Sequence, residues 1–151
     1  MDNIYRYYTL TVNGLSFDSA APGTGAGQYI ADSGTTLLYT SDDVAAAFNA
    51  GFQPPAMLNE TLGVYIVDCN ATIPSLAVTV GGQDFAINSE DLNRDVGVTP
   101  GELCISGVIP SGRLPGNLTG ILGDVFLNNV LAVFDVGQEE MTFYEREYYE
   151  S

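Results

Sequence analysis

Short runs in which apolar and polar residues alternate predict a chain built mainly of β-strands. The clearest signal is a hairpin, since residues 76–80 and 83–87 alternate on either side of Gly81-Gly82, a pair that favours a two-residue turn. A second hairpin is predicted where an almost wholly apolar strand at 130–136 is followed, across a polar turn, by residues 141–144. Further strands are predicted at residues 7–17 with a turn at Asn13-Gly14, and at 29–31, 64–67, 103–106 and 121–122.

Only short helices interrupt this β pattern. Residues 42–49 are predicted to form a helix, because Ser41 can act as its N-cap, two acids occupy its first turn and Gly51 follows its end. A single helical turn is a weaker candidate at 89–93 and again at 124–128. No linker, repeat or break in composition divides the chain. The pattern therefore predicts one domain, residues 1–151, of the mainly β class with one or two short helices.

The composition removes most classes of catalytic chemistry. The chain has 151 residues, 46% of them hydrophobic, which is enough to bury one core. It carries 19 Asp and Glu against four Arg, with no Lys and no His, and its formal net charge is −15. Without His or Lys there is no Ser-His-Asp triad, imidazole metal ligand, Schiff base or phosphate-binding lysine. Carboxylates, hydroxyls and backbone groups remain to carry the chemistry.

The charge balance also bears on the environment in which the protein works. At neutral pH the carboxylates repel one another, whereas near pH 4 roughly half of them are protonated. Because no Lys or His adds positive charge in acid, the chain is then close to neutral. A generically acidic soluble protein is one interpretation, but the complete absence of both basic residue types favours adaptation to low pH.

Cysteines and sequons bear on the compartment. Cys69 and Cys104 are an even count, which suggests one disulfide, although two buried free thiols are an alternative. Three N-x-Thr sequons begin at Asn59, Asn70 and Asn117, and these are candidate glycosylation sites. Together with the cysteine pair they favour a secretory route, with the protein secreted, extracellular or vacuolar in an acidic environment. No apolar run approaches the length of a membrane span.

Three Asp-x-Gly triplets, which begin at Asp32, Asp95 and Asp135, are candidates for carboxylate chemistry. The triplet by itself is a common turn in which Asp bonds its own backbone, and this interpretation is favoured for Asp95 and Asp135. Only Asp32 follows an apolar run and precedes several hydroxyls. A strand would carry its carboxylate toward the interior, Gly34 would allow a tight turn, and the hydroxyls would orient the carboxylate. These hydroxyls belong to Ser33, Thr35 and Thr36.

The segment around Asp32 resembles a known catalytic motif. Residues 29–38, YIADSGTTLL, look like the second Asp-Thr/Ser-Gly motif of the pepsin-like aspartic proteases of eukaryotes. Residues 120–127 resemble the hydrophobic-hydrophobic-Gly element of the same lobe, and residues 133–135 resemble the strand that follows it. The match covers about residues 5 to 145, in the family's order. It resembles the carboxyl-terminal lobe, and the lack of Lys and the sequons suit a secreted fungal member.

This resemblance implies a bilobal enzyme in which each lobe supplies one catalytic aspartate for acid-pH hydrolysis of peptide bonds, without a metal or cofactor. Asp32 takes the position of the catalytic aspartate of the carboxyl-terminal lobe, and Cys69 and Cys104 fall where that lobe carries its disulfide. Substrate binding is implied for Thr36, Ile121 and Tyr7. The residues implied to support the active-site turn are Ser33, Gly34, Thr35, Leu122, Gly123 and Asp124, of which Asp124 is expected to tune the titration of the site.

The family mechanism needs two such motifs and this chain has one. The implied partners are therefore an amino-terminal lobe of the same enzyme and a peptide or protein substrate. The lobe is expected to be inactive alone, as a fragment or as one chain of a two-chain enzyme, and to self-associate through its uncovered apolar surface. A homodimer built as in retroviral proteases is an alternative, as are a non-catalytic binding or inhibitor protein on the same fold and an acidic cell-surface β domain. Neither a nucleic acid nor a membrane is expected as a partner.

Overall fold

The computed structural model describes residues 8–97 and 101–146, and it confirms the mainly β class predicted from the sequence. These residues contain three helical segments, one more than the one or two expected, because both of the weaker candidates at 89–93 and 124–128 form a helix of four residues. The helices are α1 (Asp42–Asn49), α2 (Ser89–Leu92) and α3 (Asp124–Leu127). The strands are β1 (Thr9–Val12), β2 (Gly14–Ser16), β3 (Gly27–Ala31), β4 (Leu38–Thr40), β5 (Met57–Asn59), β6 (Val64–Asp68), β7 (Ala77–Val80), β8 (Gln83–Ala86), β9 (Asn93–Asp95), β10 (Leu103–Ser106), β11 (Val108–Pro110), β12 (Leu118–Leu122), β13 (Val130–Asp135) and β14 (Glu140–Glu145).

In the largest sheet, a strand from late in the chain lies between two strands from early in the chain. Its five strands run in the order β1-β3-β12-β4-β11. β12 lies between β3 and β4, parallel to the former and antiparallel to the latter. Leu122, at its end, is in register with both Ala31, at the end of β3, and Leu38, at the start of β4. The loop at 32–37, which joins β3 to β4, therefore crosses over the end of β12.

Both predicted hairpins are confirmed. β7 and β8 pair through Gly81 and Gly82, whose φ angles of 59° and 77° are the positive values that a two-residue turn of this kind requires. β13 and β14 pair from Val130↔Glu145 to Asp135↔Glu140. The predicted strand at 7–17 is divided at Asn13, because β1 pairs with β3 whereas β2 pairs with β7 in a different sheet. The two smaller multistranded sheets have the orders β2-β7-β8 and β5-β6-β10-β9.

Four strands were not predicted from the sequence, namely β4, β5, β9 and β11. Each has only three residues, which is too short for an alternating pattern to stand out. Each forms because a neighbouring strand offers it unpaired backbone groups; β4, for example, pairs with the longer β12 on one side and then offers its other edge to β11. These strands are consequences of tertiary pairing rather than of local sequence.

The helix α1 spans the residues predicted for it and packs Val44, Ala45 and Phe48 into the core. Ser41 occupies the N-cap position predicted for it, but its side chain makes no capping bond to the helix backbone. It bonds instead to the Asp43 carboxylate, and this bond, with a smaller contribution from a backbone N–H, lowers the pKa of Asp43. None of the helices in the described ranges combines the length and apolar character needed to cross a membrane.

A buried tyrosine connects β3 to β4 across β12. The Tyr29 hydroxyl donates to the carbonyl oxygen of Gly25 (2.8 Å) and is hydrogen-bonded to the Thr40 hydroxyl (2.8 Å). To reach Thr40 the ring passes beside Gly120, where a Cβ would collide with the ring and with the backbone carbonyl of Tyr39. Tyr29 and Thr40 are both fully buried. The missing side chain at Gly120 thus allows a side-chain hydrogen bond to connect β3 and β4, the two strands on either side of β12.

One disulfide, Cys69–Cys104, closes the four-stranded sheet, with a Cα–Cα distance of 5.0 Å. It joins the residue after β6 to β10, two neighbouring strands in which Cys104 is in register with Val67. The alternative of two free thiols is therefore wrong for this structure.

We predict that Gly120→Ala destabilises the fold by about 3 kcal/mol, the upper end of the usual cost of overpacking, because the new methyl group meets backbone on one side and an aromatic ring on the other. Urea unfolding measures the change. Gly137→Ala is the matched control, since a Cβ there meets only the Asp135 carboxylate at an ordinary contact distance of 3.4 Å. It should change stability by no more than about 0.5 kcal/mol. Equal effects of the two substitutions would contradict the assigned role of Gly120.

We also predict that replacing both cysteines by Ala lowers the free energy of unfolding by about 3–4 kcal/mol, because the bond closes a loop with a sequence separation of 35. Denaturant titration of the two proteins tests this value. Alkylation of the denatured, unreduced wild type should label no thiol, and labelling would show that the bond is absent from the protein in solution.

Candidate active site

The turn that carries Asp32 begins where β3 ends and is supported by β12. The Asp32 N–H donates to the carbonyl oxygen of Leu122 (3.1 Å), and the Thr35 N–H donates back to the carbonyl oxygen of Asp32 (3.2 Å). Leu122 itself is fully buried beneath the turn. The start of the turn is therefore fixed to the end of a core strand.

The beginning of α3 supports the other half of the turn. The N–H groups of Asp124 and Val125 donate to the carbonyl oxygens of Thr35 (2.8 Å) and Thr36 (3.0 Å). Such N–H groups have no partner within their own helix, so the turn satisfies them without water. Gly123 is buried at the junction, where a Cβ would collide with two carbonyl oxygens of the turn. Of the residues predicted to support the turn, the three that lie outside it in the sequence, Leu122, Gly123 and Asp124, all contact it.

Both oxygens of the Asp32 carboxylate accept a hydrogen bond. Oδ2 accepts from the Thr35 hydroxyl at 2.6 Å, and Oδ1 accepts from the Gly34 N–H at 2.9 Å. The Thr35 bond, followed by the Gly34 bond, lowers the pKa of Asp32, and partial burial opposes this only weakly. The side chain is half-buried, so its carboxylate is oriented while still reachable from solvent. This arrangement favours an ionised carboxylate that can act on a bound molecule.

The other two Asp-x-Gly triplets form the same turn without the same surroundings. In all three, Oδ1 of the Asp accepts from the N–H two residues later, at 2.9 Å for Asp32, 2.8 Å for Asp95 and 3.0 Å for Asp135. Only the Asp32 carboxylate also accepts from a hydroxyl. The triplet alone therefore does not distinguish Asp32 from the other two aspartates. The Thr35 hydroxyl and the support from β12 distinguish it.

The remaining predicted site residues are placed as follows. Ser33 and Thr36 are exposed on the turn, and Ile121 is half-buried, on the opposite face of β12 from Leu122. Within the described part of the chain, no hydrogen bond joins the side chains of Asp124 and Asp32, so the contact of Asp124 with the turn is made by its backbone. Tyr7, predicted to bind substrate, lies outside the described residues.

Comparison with known proteins identifies the family. A family model described as eukaryotic aspartyl protease matches residues 2–145. The chain belongs to this family.

Named relatives of this aspartyl protease chain agree with the match. It is 43% identical over 143 residues to the "Probable aspartic-type endopeptidase" of Aspergillus fumigatus, a match that covers 92% of this chain and 32% of that protein. It is 30% identical to an aspartic protease of Phaffia rhodozyma, with 91% and 34% covered, and 29% identical to aspergillopepsin-1 of Aspergillus clavatus, with 89% and 33% covered. The chain thus spans about a third of the length of each relative.

The disulfide and the sequons of this aspartyl protease chain lie outside the turn. The disulfide belongs to the four-stranded sheet, whereas Asp32 belongs to the five-stranded one. Asn59 is half-buried in β5, and Asn70 and Asn117 are exposed. In residues 8–97 and 101–146, no three carboxylate or cysteine side chains are grouped so as to hold a metal ion.

Sequence reasoning missed the pair of Tyr29 and Thr40, which ties together the two strands that flank the Asp32 turn. The sequence places Tyr29 in the predicted strand at 29–31 and gives its hydroxyl no role, and it does not single out Thr40. The signal that could have found them is Gly120, a glycine inside a strand two residues before the supporting Leu122, since such a glycine often marks the close approach of another group.

We predict that Thr35→Val raises the pKa of Asp32, because it removes the hydroxyl that donates to Oδ2 while keeping the branched shape of the side chain. Titration of the Asp32 carboxyl carbon by NMR measures the change. Ser33→Ala is the matched control, since the exposed Ser33 makes no hydrogen bond to this carboxylate. An unchanged Asp32 pKa in the Thr35 variant would show that the hydroxyl does not orient the anion.

The same bonds give stability a defined pH dependence. Because the pKa of Asp32 is lower in the folded chain than in the unfolded one, its contribution is fully present above the unfolded pKa, near 3.9. The contribution is lost as the pH falls through the folded pKa. Thr35→Val should therefore lose less stability than the wild type on acidification below about pH 4.

Proposed function

We propose that this chain is the carboxyl-terminal lobe of an aspartic endopeptidase, a single domain in which Asp32 supplies one of two catalytic carboxylates. One observation carries the proposal: the Asp32 carboxylate is held by Thr35 and Gly34, reachable from solvent, on a turn built over the end of a core strand. An aspartate that served only its turn would need neither the hydroxyl nor the support from β12.

The second carboxylate comes from another lobe. Among the described residues, no other carboxyl group is hydrogen-bonded to Asp32. Two carboxyl groups about 3 Å apart cannot both ionise easily, so they share one proton over an acidic range, and their apparent pKa values belong to the pair. The hydrogen bonds from Thr35 and Gly34 stabilise the anionic form of Asp32, and the groups of both lobes together decide which member of the pair holds the proton.

The chemistry then needs no His, metal or cofactor. The ionised carboxylate takes a proton from a water molecule, whose oxygen attacks the carbonyl carbon of the peptide bond. The protonated partner donates its proton to the carbonyl oxygen, and the resulting tetrahedral species collapses to a carboxylic acid and an amine. Ser33, Thr36 and Ile121, exposed or half-buried around the turn, are the residues of this lobe that contact the other active-site turn and the substrate.

The ribbon formed by β13 and β14 is the surface on which the other lobe packs. One face of it, which includes Ala132, Met141 and Phe143, packs on the core. The opposite face pairs Leu131, 58% exposed, with Tyr144, 53% exposed, where a solvent-facing ribbon would carry polar residues. An apolar surface of this kind marks a protein contact. The partner is the amino-terminal lobe, and in its absence the ribbon is the surface for self-association.

The disulfide, the three sequons and the strongly acidic composition support a secretory route that ends in an acidic medium or vacuole. In such a medium most carboxylates lose their charge, and the self-repulsion of a chain with net charge −15 falls. The same acidity keeps one proton on the catalytic pair. The acidic range in which the chain repels itself least is thus also the range in which the catalytic pair holds its proton.

We predict that Asp32→Asn abolishes peptide cleavage by this lobe when it is assembled with its amino-terminal lobe. The expected loss of kcat is at least about 10³-fold, because an amide cannot take the proton from water. Cleavage of an unfolded protein at pH 3–4, a range expected for a coupled aspartyl pair, measures it. Asp95→Asn is the matched control, because that residue forms the same turn without a bond from a hydroxyl and lies outside the ribbon of β13 and β14.

Three outcomes separate the interpretations of this assay. Activity that survives Asp32→Asn would refute the catalytic assignment. Absence of cleavage by the wild-type assembly at every pH would favour the non-catalytic binding protein. Pepstatin-sensitive cleavage by the purified chain alone, with a dimer in sedimentation, would replace the two-lobe enzyme by a homodimer.

A further inference from the structure

The four-stranded sheet has an apolar face that points away from the core. In the register of the sheet, Met57 lies opposite Ile66, and Ile66 lies opposite Ile105 on the next strand. Val64 and Leu103 belong to the same face, because side chains two residues apart on a strand point to the same side. These five residues, Met57, Val64, Ile66, Leu103 and Ile105, are named here the outer apolar face.

The outer apolar face is not covered by the described part of the chain. Met57 is 70% exposed, Leu103 is 50% exposed and the other three members are half-buried. On the inner face of the same strands, by contrast, Tyr65, Val67 and Cys104 are buried in the core. An antiparallel sheet normally carries polar residues on its solvent side, and Asp68 and Arg94, in register with two members of this face, follow that rule. The five apolar side chains do not, and together they form a patch that a covering group would remove from water.

Asn59 stands at the edge of this face. It lies opposite Val64 and two residues from Met57, so its side chain shares their side of the sheet. Its Oδ1 accepts the N–H of Leu62 at 3.0 Å, which closes the β5–β6 hairpin and places Leu62, 65% exposed, beside the same edge. Among the residues that the structure describes, Nδ2 of Asn59 donates to no acceptor. That nitrogen can therefore be substituted without breaking a bond.

We propose that Asn59 is N-glycosylated and that its glycan covers the outer apolar face and the hairpin tip at Leu62. The Nδ2 nitrogen bonds to the anomeric carbon of the first sugar of a lipid-linked oligosaccharide diphosphate; the lipid diphosphate leaves, and Nδ2 loses one proton. A sugar ring has apolar C–H faces that can lie on Met57 and Val64, while its hydroxyls face water. The inference depends on passage through the secretory route and not on peptidase activity.

The other two sequons are less suited to this role. Asn117 is exposed in the loop that leads into β12, a strand of the five-stranded sheet. None of the strongly exposed large apolar residues lies within ten positions of Asn117 in the chain. Asn70 follows Cys69 and lies beyond the end of β6, where it is in register with no member of the outer apolar face. The exposed ribbon of β13 and β14 carries no sequon at all. Asn59 alone combines a sequon with membership of the edge of an apolar face.

The test uses the protein secreted from a eukaryotic host. Peptide mapping after treatment with an amidase that releases N-glycans shows occupancy, since release converts Asn59 to Asp. The folded protein is then treated with the same amidase, and binding of a dye that fluoresces on apolar surfaces is measured before and after. We expect Asn59 to be occupied and dye fluorescence to rise severalfold on release of the glycan.

Variants assign the effect to Asn59. Thr61→Ala removes the sequon but keeps the Asn59–Leu62 bond, and it should raise dye binding as enzymatic release does. Asn117→Gln is the matched control and should leave dye binding unchanged. Met57→Thr combined with Thr61→Ala should lower dye binding again, because the exposed apolar side chain is then replaced by a polar one that suits a strand.

Two results would overturn the proposal. One is an unmodified Asn59 in the secreted protein. The other is an occupied Asn59 whose release leaves dye binding unchanged while the far-ultraviolet circular dichroism shows an intact fold, since a second copy or another protein would then be what covers the face.

Discussion

The insertion of β12 between β3 and β4 is the constraint on which the rest of the site depends. It brings the Leu122 carbonyl under Asp32, and it brings the first N–H groups of α3 under Thr35 and Thr36. The insertion demands two residues without side chains. Gly120 leaves room for the Tyr29 ring, and Gly123 leaves room for the carbonyl groups of the turn. A turn supported in this way cannot move without disturbing the core, so the carboxylate it carries is fixed before any substrate arrives.

The electrostatics of the Asp32 turn favour only the charged form of its carboxylate. A hydroxyl and a backbone amide stabilise the anion of Asp32, whereas a proton-sharing pair also needs a group that raises the pKa of one member. In residues 8–97 and 101–146 no hydrogen bond connects Asp32 to such a group. The orientation of the carboxylate can therefore be assigned to this chain, while the shared proton belongs to the two-lobe assembly proposed above.

Two apolar surfaces complete the description of the chain as part of something larger. The ribbon of β13 and β14 exposes aromatic and branched residues on a strand pair without a further strand beside it. The outer apolar face lies on a different sheet and has an asparagine sequon at its edge. The first surface carries no sequon, which agrees with the proposal that another folded lobe packs on it. The second has a sequon at its edge, which agrees with the proposal of a covalently attached glycan.

The sequence by itself determined the β class, both hairpins, the bounds of α1, and Asp32 as the triplet of interest, because these depend on local alternation, turn glycines and neighbouring hydroxyls. It could not predict the three-residue strands, and it assigned Ser41 the wrong partner, because short segments and single polar side chains take whichever partner the fold brings near. Nor could it show that Tyr29 reaches Thr40 past Gly120, three residues that only the insertion of β12 brings together. Local pattern decides which segments form, but the packing of segments distant in the chain decides which side chains meet, since a contact across strands leaves no periodic signal in the residues that make it.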